Sequence, residues 1–294
     1  MHAPANFGRA FAIGIGLNCA FVALETFYGV LSHSVALVAD AAHNASDVLG
    51  LLAAWVAFAL AKRRPTARHT YGLRKSTVLA ALGNAVLLLV AVGGVAWESI
   101  LKLRDPQPVQ GLTVILVAAA GVLVNGTSAL LFMRGSKDDA NIRGAFLHLA
   151  ADAGVSLAVV LSGAAILRTG WWWLDPAVSL VVSAVILVAT WKLLVRSVNL
   201  ALDGVPENVD PAAVREHLQR LPGVSAVHDL HVWAMSTTET ALTAHLVLDA
   251  SQPAPVLADL GRQLQRKFGV DHATVQLELA TTGHECLGCE AHAP

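Results

Sequence analysis

Two pairs of residues combine a histidine with an aspartate four positions later, His43 with Asp47 and His148 with Asp152, and each pair stands inside a long apolar stretch. On an α-helix that spacing stacks both side chains on one face. Ionisable groups at membrane depth cost at least about 2.5 kcal/mol each unless they face a cavity or a partner, so they mark a functional site by default. Two such pairs at matching depth would supply two imidazole nitrogens and two carboxylate oxygens, a set that suits tetrahedral Zn2+. Hydrogen bonding of each histidine to its own aspartate, as glue between helices, would account for one pair. The same pair repeated in a second stretch speaks for a metal site. Asp40, one turn before His43, reads as an outer acceptor that orients an imidazole rather than as a fifth ligand.

The elements that must position these residues follow from hydropathy. Of 294 residues 55% are hydrophobic and 14% charged, with a mean hydropathy of +0.59, which exceeds what a soluble core needs. Six apolar stretches, approximately 11–31, 35–61, 77–101, 112–133, 142–167 and 173–194, are each long enough to cross a bilayer as a helix. The first lacks a signal-peptide cleavage pattern and reads as a retained span. Lys62, Arg63, Arg64, Arg68, Arg74 and Lys75 follow the second stretch, and Arg134, Lys137 and Arg143 follow the fourth. The opposite side has only Lys102, Arg104 and Arg168, with Trp171, Trp172 and Trp173 fitting an interfacial belt. The positive-inside rule therefore puts both termini in the cytoplasm, and in a bacterium the membrane would be the inner one. A net charge of -1 leaves no basic field for nucleic acid.

After Asp203-Gly204-Val205-Pro206 the pattern becomes that of a soluble α+β unit: helices over 211–221 and 255–268, and strands over 224–234, 240–249 and 273–279. The chain thus divides into a six-helix membrane domain, 1–202, an α+β domain, 203–280, and a tail, 281–294. In the α+β domain His228, His231, His245, His272 and Glu278 could converge across the sheet. In the tail Cys286 and Cys289 form a C-x-x-C flanked by His284 and His292, which fits a zinc site or a reduced, unstructured end. Whether Asn18, Glu25, Asn84, Glu98 and Asn125 line a cavity or tie spans together stays open.

The two His-x-x-x-Asp pairs, Tyr71-Gly72, His228-Asp229-Leu230-His231-Val232-Trp233 and Thr274-Val275-Gln276-Leu277-Glu278 together resemble the cation diffusion facilitator family over nearly the whole chain. The resemblance implies a homodimer in the lipid bilayer, a ferredoxin-like cytoplasmic domain, and exchange of Zn2+ for protons by alternating access. It implies that His43, Asp47, His148 and Asp152 form the transport site, and that a histidine at position 43 marks the zinc-preferring branch. It further implies regulatory zinc on His228, His245 and a group near Glu278, and a charge pair between protomers from Lys75 and Asp203. The tail around Cys286 and Cys289 resembles that of animal vesicular zinc transporters. A loop metal site of some bacterial members needs an aspartate and two histidines, of which only His69 stands here. An exporter of broader range for zinc, cadmium and cobalt, or a membrane zinc sensor that transports nothing, are the alternatives. A membrane metalloprotease lacks its His-Glu-x-x-His, so no enzyme is expected.

Overall fold

A computed structural model describes residues 7–133, 140–249 and 257–279. Six long helices come first: α1 (Phe7–Leu31), α2 (Val35–Ala61), α3 (Ser76–Arg104), α4 (Gly111–Met133), α5 (Ala140–Thr169) and α6 (Leu174–Ala201). Within lipid every backbone polar group must be satisfied inside its own segment, which is why runs of Val, Leu and Ala of this length fold as helices. α2 to α6 are each long and apolar enough to cross a membrane, and the apolar part of α1 among the described residues is Asn18–Leu31. α6 continues to Ala201, past the end of its apolar run at 194, carrying Arg196 and Asn199 in its last turns.

The chain divides into two compact units, residues 1–52 with 83–193, and residues 53–82 with 194–294. In the first, α1 and α2 are joined by a turn in which His33 takes a left-handed conformation (φ 57°) and Ser34 N donates to Gly29 O. α2 starts on a carboxylate from α6: Asp175 accepts from Ser34 Oγ, from Val35 N at 2.6 Å and from Ala36 N at 3.4 Å. These amides have no partner within their own helix, so the clasp meets a need that every helix start has. α4 and α5 pack through small residues: a Cβ on Gly163 would lie 3.0 Å from Ile115 Cγ1 and 3.1 Å from Gly111 O. Close approach of this kind replaces the hydrophobic driving force that helices lack inside a membrane. Val35, Ala39, Leu88, Val92, Val182 and Ile186 form a second contact layer, which locks the start of α2 against α3 and α6.

The second unit contains α7 (Pro211–Gln219), β1 (Val224–Ala234), β2 (Thr240–Leu248), α8 (Leu257–Phe268) and β3 (His272–Leu279). Asp210 caps α7 by accepting from Ala212 N, with Pro211 at the first helical position where its missing N–H costs nothing. β1 pairs antiparallel with β2, and β2 parallel with β3 across the α8 connection. Val214 and Leu218 of α7 and Leu260 and Leu264 of α8 share one core with Val227, Val232, Leu242 and Leu246 of the sheet. This is the α+β unit that the sequence implied. Residues 53–82 join it through Arg74 Nη1–Glu239 Oε1 at 3.0 Å, Thr237 N–Thr77 Oγ1 at 3.1 Å and a cluster of Val78, Leu200 and Ala234.

Candidate metal centre

The helix periodicity places His43 and Asp47 on one face of α2, and His148 and Asp152 on one face of α5, and the two faces meet. His43 Nε2 lies 3.3 Å from Asp152 Oδ1 and 3.8 Å from Asp47 Oδ2. His148 Nε2 lies 3.1 Å from Asp47 Oδ2 and 3.6 Å from Asp152 Oδ2. Each imidazole therefore stands between both carboxylates, one from its own helix and one from the other. Metal–donor bonds of about 2.0–2.2 Å in a tetrahedron put neighbouring donors roughly 3.3–3.6 Å apart, and the imidazole–carboxylate distances, taken to Asp47 Oδ2 and to both oxygens of Asp152, fall around that range. His43, Asp47 and Asp152 each bring one donor atom within 4.8 Å of the others, and His148 approaches this group through Asp47 and Asp152 without belonging to it. Side-chain exposure rises from 7% at Asp152 and 14% at His43 to 32% at Asp47 and 51% at His148, so the group is walled on one side and open on the other.

Asp40 does not orient His43. Its Oδ2 accepts from Ser156 Oγ of α5 at 2.8 Å, while His43 Nδ1 is buried without a hydrogen-bond partner. The reason is direction: His43 turns Nε2 towards Asp152 on α5, and Asp40, fully buried, is met there by Ser156 first. Glu25 of α1, also fully buried, accepts from Asn44 Nδ2 at 3.1 Å, and Ser46 Oγ donates to Asn84 Oδ1 at 3.4 Å. Two of the polar residues in the spans thus tie neighbouring helices to the segment of α2 that carries His43 and Asp47.

Ser156 owes its place to a glycine, since a Cβ on Gly121 of α4 would lie 2.9 Å from Ser156 Oγ and 3.1 Å from Phe21 Cζ. Gly121→Ala is therefore expected to displace Ser156 from Asp40 and to destabilise the protein by about 1–3 kcal/mol, the usual cost of overpacking. Thermal melts of Gly121→Ala, and of the same variant carrying Ser156→Gly, check this. The second change should restore most of the melting temperature, and an unchanged melt in the single variant would refute the close contact.

A second cluster forms on the sheet. His228 Nε2 lies 3.0 Å from Glu278 Oε2, and His245 Nδ1 lies 2.9 Å from Glu278 Oε1 without the geometry of a hydrogen bond. Two imidazoles with a carboxylate are donors that zinc accepts, and His228, His245 and Glu278 bring one such atom each within 4.8 Å of the others. Asp229 joins this cluster although the sequence did not mark it as a ligand: its carboxylate lies 2.9 Å from His231 Nε2 and 3.6 Å from His245 Nε2. Regular alternation would set Asp229 and His231 away from His228. Instead β1 carries one extra residue between His228↔His245 and His231↔Thr243, and Asp229 adopts φ 49° there. His272 stays outside: it pairs with Ala241, four residues along β2 from His245, about 13 Å at the rise of a strand, and its ring meets Tyr71 at 5.6 Å. Cys286 and Cys289 lie outside the described residues.

The hydrogen bond from His231, then burial against it, then the charges of the three histidines leave Asp229 below the ordinary carboxylate range. Burial pushes Glu278 up, but its bond to His228 and the charges of His228 and His245 outweigh this and leave it lowered. A carboxylate lowered in the folded state adds stability above its unfolded value, and that part is lost as pH falls through the folded one. Glu278→Gln should therefore melt at lower temperature than the parent at neutral pH, in chelator, and the gap should close as the pH is taken below about 4, near the unfolded carboxylate values. A gap that widens in acid would contradict the assignment.

Lys75 Nζ donates to Asp203 Oδ1 at 2.6 Å and to Leu200 O at 2.8 Å. Asp203 closes a left-handed turn (φ 59°) directly after α6, which carries its carboxylate back to Lys75 of the same chain.

The family model described as "Cation efflux transmembrane domain" matches residues 11–200, and that described as "Cation efflux protein, cytoplasmic domain" matches residues 206–280. The chain is 36% identical to the metal cation efflux system protein CzcD of Cupriavidus metallidurans, over 94% of this chain and 88% of that protein. It is 35% identical to the zinc transporter ZitB of Escherichia coli, over 98% and 91% of the two chains. It is 30% identical to the cadmium, cobalt and zinc/H(+)-K(+) antiporter of Bacillus subtilis, over 90% and 87%.

Proposed function

The chain belongs to the cation efflux, or cation diffusion facilitator, family of integral membrane metal transporters, and from that premise we propose that it exports divalent metal, chiefly Zn2+, from the cytoplasm in exchange for protons. Its relatives are transporters rather than enzymes. The observation that carries the reading is the interleaving of His43, Asp47, His148 and Asp152, each imidazole between both carboxylates at 3.1–3.8 Å across two membrane helices.

Four protein ligands hold the cargo ion without a water, so release needs a competitor. Protons serve, because zinc binds only neutral imidazole and ionised carboxylate, and a free imidazole titrates near pH 6.5. On the side where protons are plentiful they take the imidazoles and carboxylates as zinc leaves; on the other side zinc displaces them. The open face at His148 and Asp47 gives the ion its entry, and the walled face at His43 and Asp152 keeps the pathway closed behind it. With Lys62, Arg63 and Arg64 on the cytoplasmic side, entry from the cytoplasm gives export.

The C-terminal domain fits a homodimer in which zinc at His228, His245 and Glu278 shifts the balance between conformations. That cluster also supports a second reading, a membrane sensor that transports nothing, but it leaves the membrane ligands without a purpose. Uptake of zinc, cadmium, cobalt and manganese into everted membrane vesicles with an acidic interior decides. We expect uptake with zinc ahead of the others and its loss when the pH gradient is collapsed. Zinc uptake indifferent to the gradient would remove proton exchange, and uptake of no metal would leave the sensor.

A further inference from the structure

Where α1 turns into α2 and α3 ends, a cavity of about 480 Å3 lies between the three helices, and none of the metal ligands lines it. Its walls are small and apolar, among them Gly29, Val38, Ala91 and Gly94. A Cβ on Gly29 would meet Val38 Cγ2 at 3.0 Å, so α1 and α2 close one wall, whereas a Cβ on Gly94 would meet nothing within 4 Å. Val30 and Val90, which also line the cavity, are 64% and 69% exposed, as side chains are that face hydrocarbon. The cavity is therefore open to the bilayer rather than sealed within the protein.

Its rim carries two opposite charges. Lys102 donates to His33 O at 3.0 Å, which holds the left-handed turn between α1 and α2 and leaves the ammonium further protons for an acceptor. Glu98 stands one turn earlier on α3, a spacing at which the two residues commonly pair. They do not: Lys102 is engaged by the turn, and Glu98 has no ion pair or hydrogen bond among the described residues. An exposed carboxylate on a membrane helix without a partner in its own chain calls for a cation from elsewhere.

We propose that this cavity seats a phospholipid whose headgroup bears a primary ammonium, with an acyl chain between Gly29, Val38, Ala91 and Gly94, the phosphate on Lys102 and the ammonium on Glu98. Charge complementarity selects this occupant. An anionic lipid would satisfy Lys102 and be repelled by Glu98, while a lipid with both charges a two-carbon link apart matches neighbours on a helix face, whose Cβ atoms are about 5–6 Å apart. A quaternary ammonium offers no N–H to the carboxylate and fits less well.

The test uses the full-length protein in detergent with equal amounts of phosphatidylethanolamine, phosphatidylcholine and phosphatidylglycerol of one acyl composition, read by native mass spectrometry. We expect phosphatidylethanolamine to be retained about tenfold over the other two, as one charge-assisted hydrogen bond allows. Glu98→Gln should bring its retention down to that of phosphatidylglycerol, and Gly94→Leu, which fills the open wall, should remove bound lipid of every kind. Gly94→Ala, too small to fill the cavity, should behave as the parent. Zinc binding should be unchanged in all three, since none touches a metal ligand. Equal retention of the three lipids, or unchanged retention in Gly94→Leu, would overturn the proposal. So would a shift of the dimer fraction in Gly94→Leu, which would make the cavity a contact between copies. If Gly94→Leu does not fold, unaltered lipid preference in Glu98→Gln is sufficient to overturn it.

Discussion

Asp152→Ala is expected to abolish zinc transport while the protein stays folded and dimeric. Asp152 is the most enclosed of the four candidate ligands, and its two oxygens reach both imidazoles, at 3.3 Å and 3.6 Å. Removing one partner from a buried set of charges costs about 3–5 kcal/mol, at least a hundredfold in affinity, when the ion is bound. Without the ion the balance differs. A carboxylate in this position is itself costly to bury and fills little volume, so alanine should leave the melting temperature of the metal-free protein within a few degrees of the parent. Zinc flux in vesicles together with size-exclusion chromatography checks both halves. Transport near the parental rate would remove Asp152 from the site.

His43→Asp tests what the nitrogen at that position is for. Imidazole suits zinc, whereas a site with three carboxylates favours ions that accept more oxygen ligands. The variant should still bind metal but discriminate less, so that the ratio of cadmium to zinc transport rises severalfold, with manganese entering as well. Its dependence on pH should change too, because one imidazole no longer exchanges protons with the metal. His43 Nε2 already stands 3.8 Å from Asp47, so a shorter side chain there has to be reached by a shift of α2. Normal zinc transport with an unaltered cadmium ratio, measured in matched vesicles, would show that His43 does not set selectivity.

The membrane helices and the pairs that face one another were legible because their signals are local. An apolar run of twenty or more residues has few other structures open to it, and a spacing of four fixes which side chains share a face, so His43 with Asp47 and His148 with Asp152 could be read from spacing alone. What failed to show was set by the third dimension. Asp229 entered the second cluster through an extra residue in β1, and a bulge leaves no trace in a pattern of alternation. His272 was legible as a histidine on the right face of β3 but not as one about four residues too far along it. Asp40 met Ser156 rather than an imidazole because α5 lies against it, with Gly121 of α4 making the room, and no spacing within α2 reports that. Lys75 and Asp203 were legible as partners through the resemblance, and the left-handed turn at Asp203 that brings the two together was not.

The central claim is that the two histidines and two aspartates bind a metal ion and protons in alternation. It is tested most directly by proton flux in liposomes containing the purified protein, with a pH-sensitive dye inside and zinc added outside. The account predicts that zinc drives protons out of the liposomes in proportion to the zinc that enters, and that Asp152→Ala and His148→Ala lose both fluxes together. Zinc entry without proton movement, or zinc binding with neither flux in the parent protein, would contradict it.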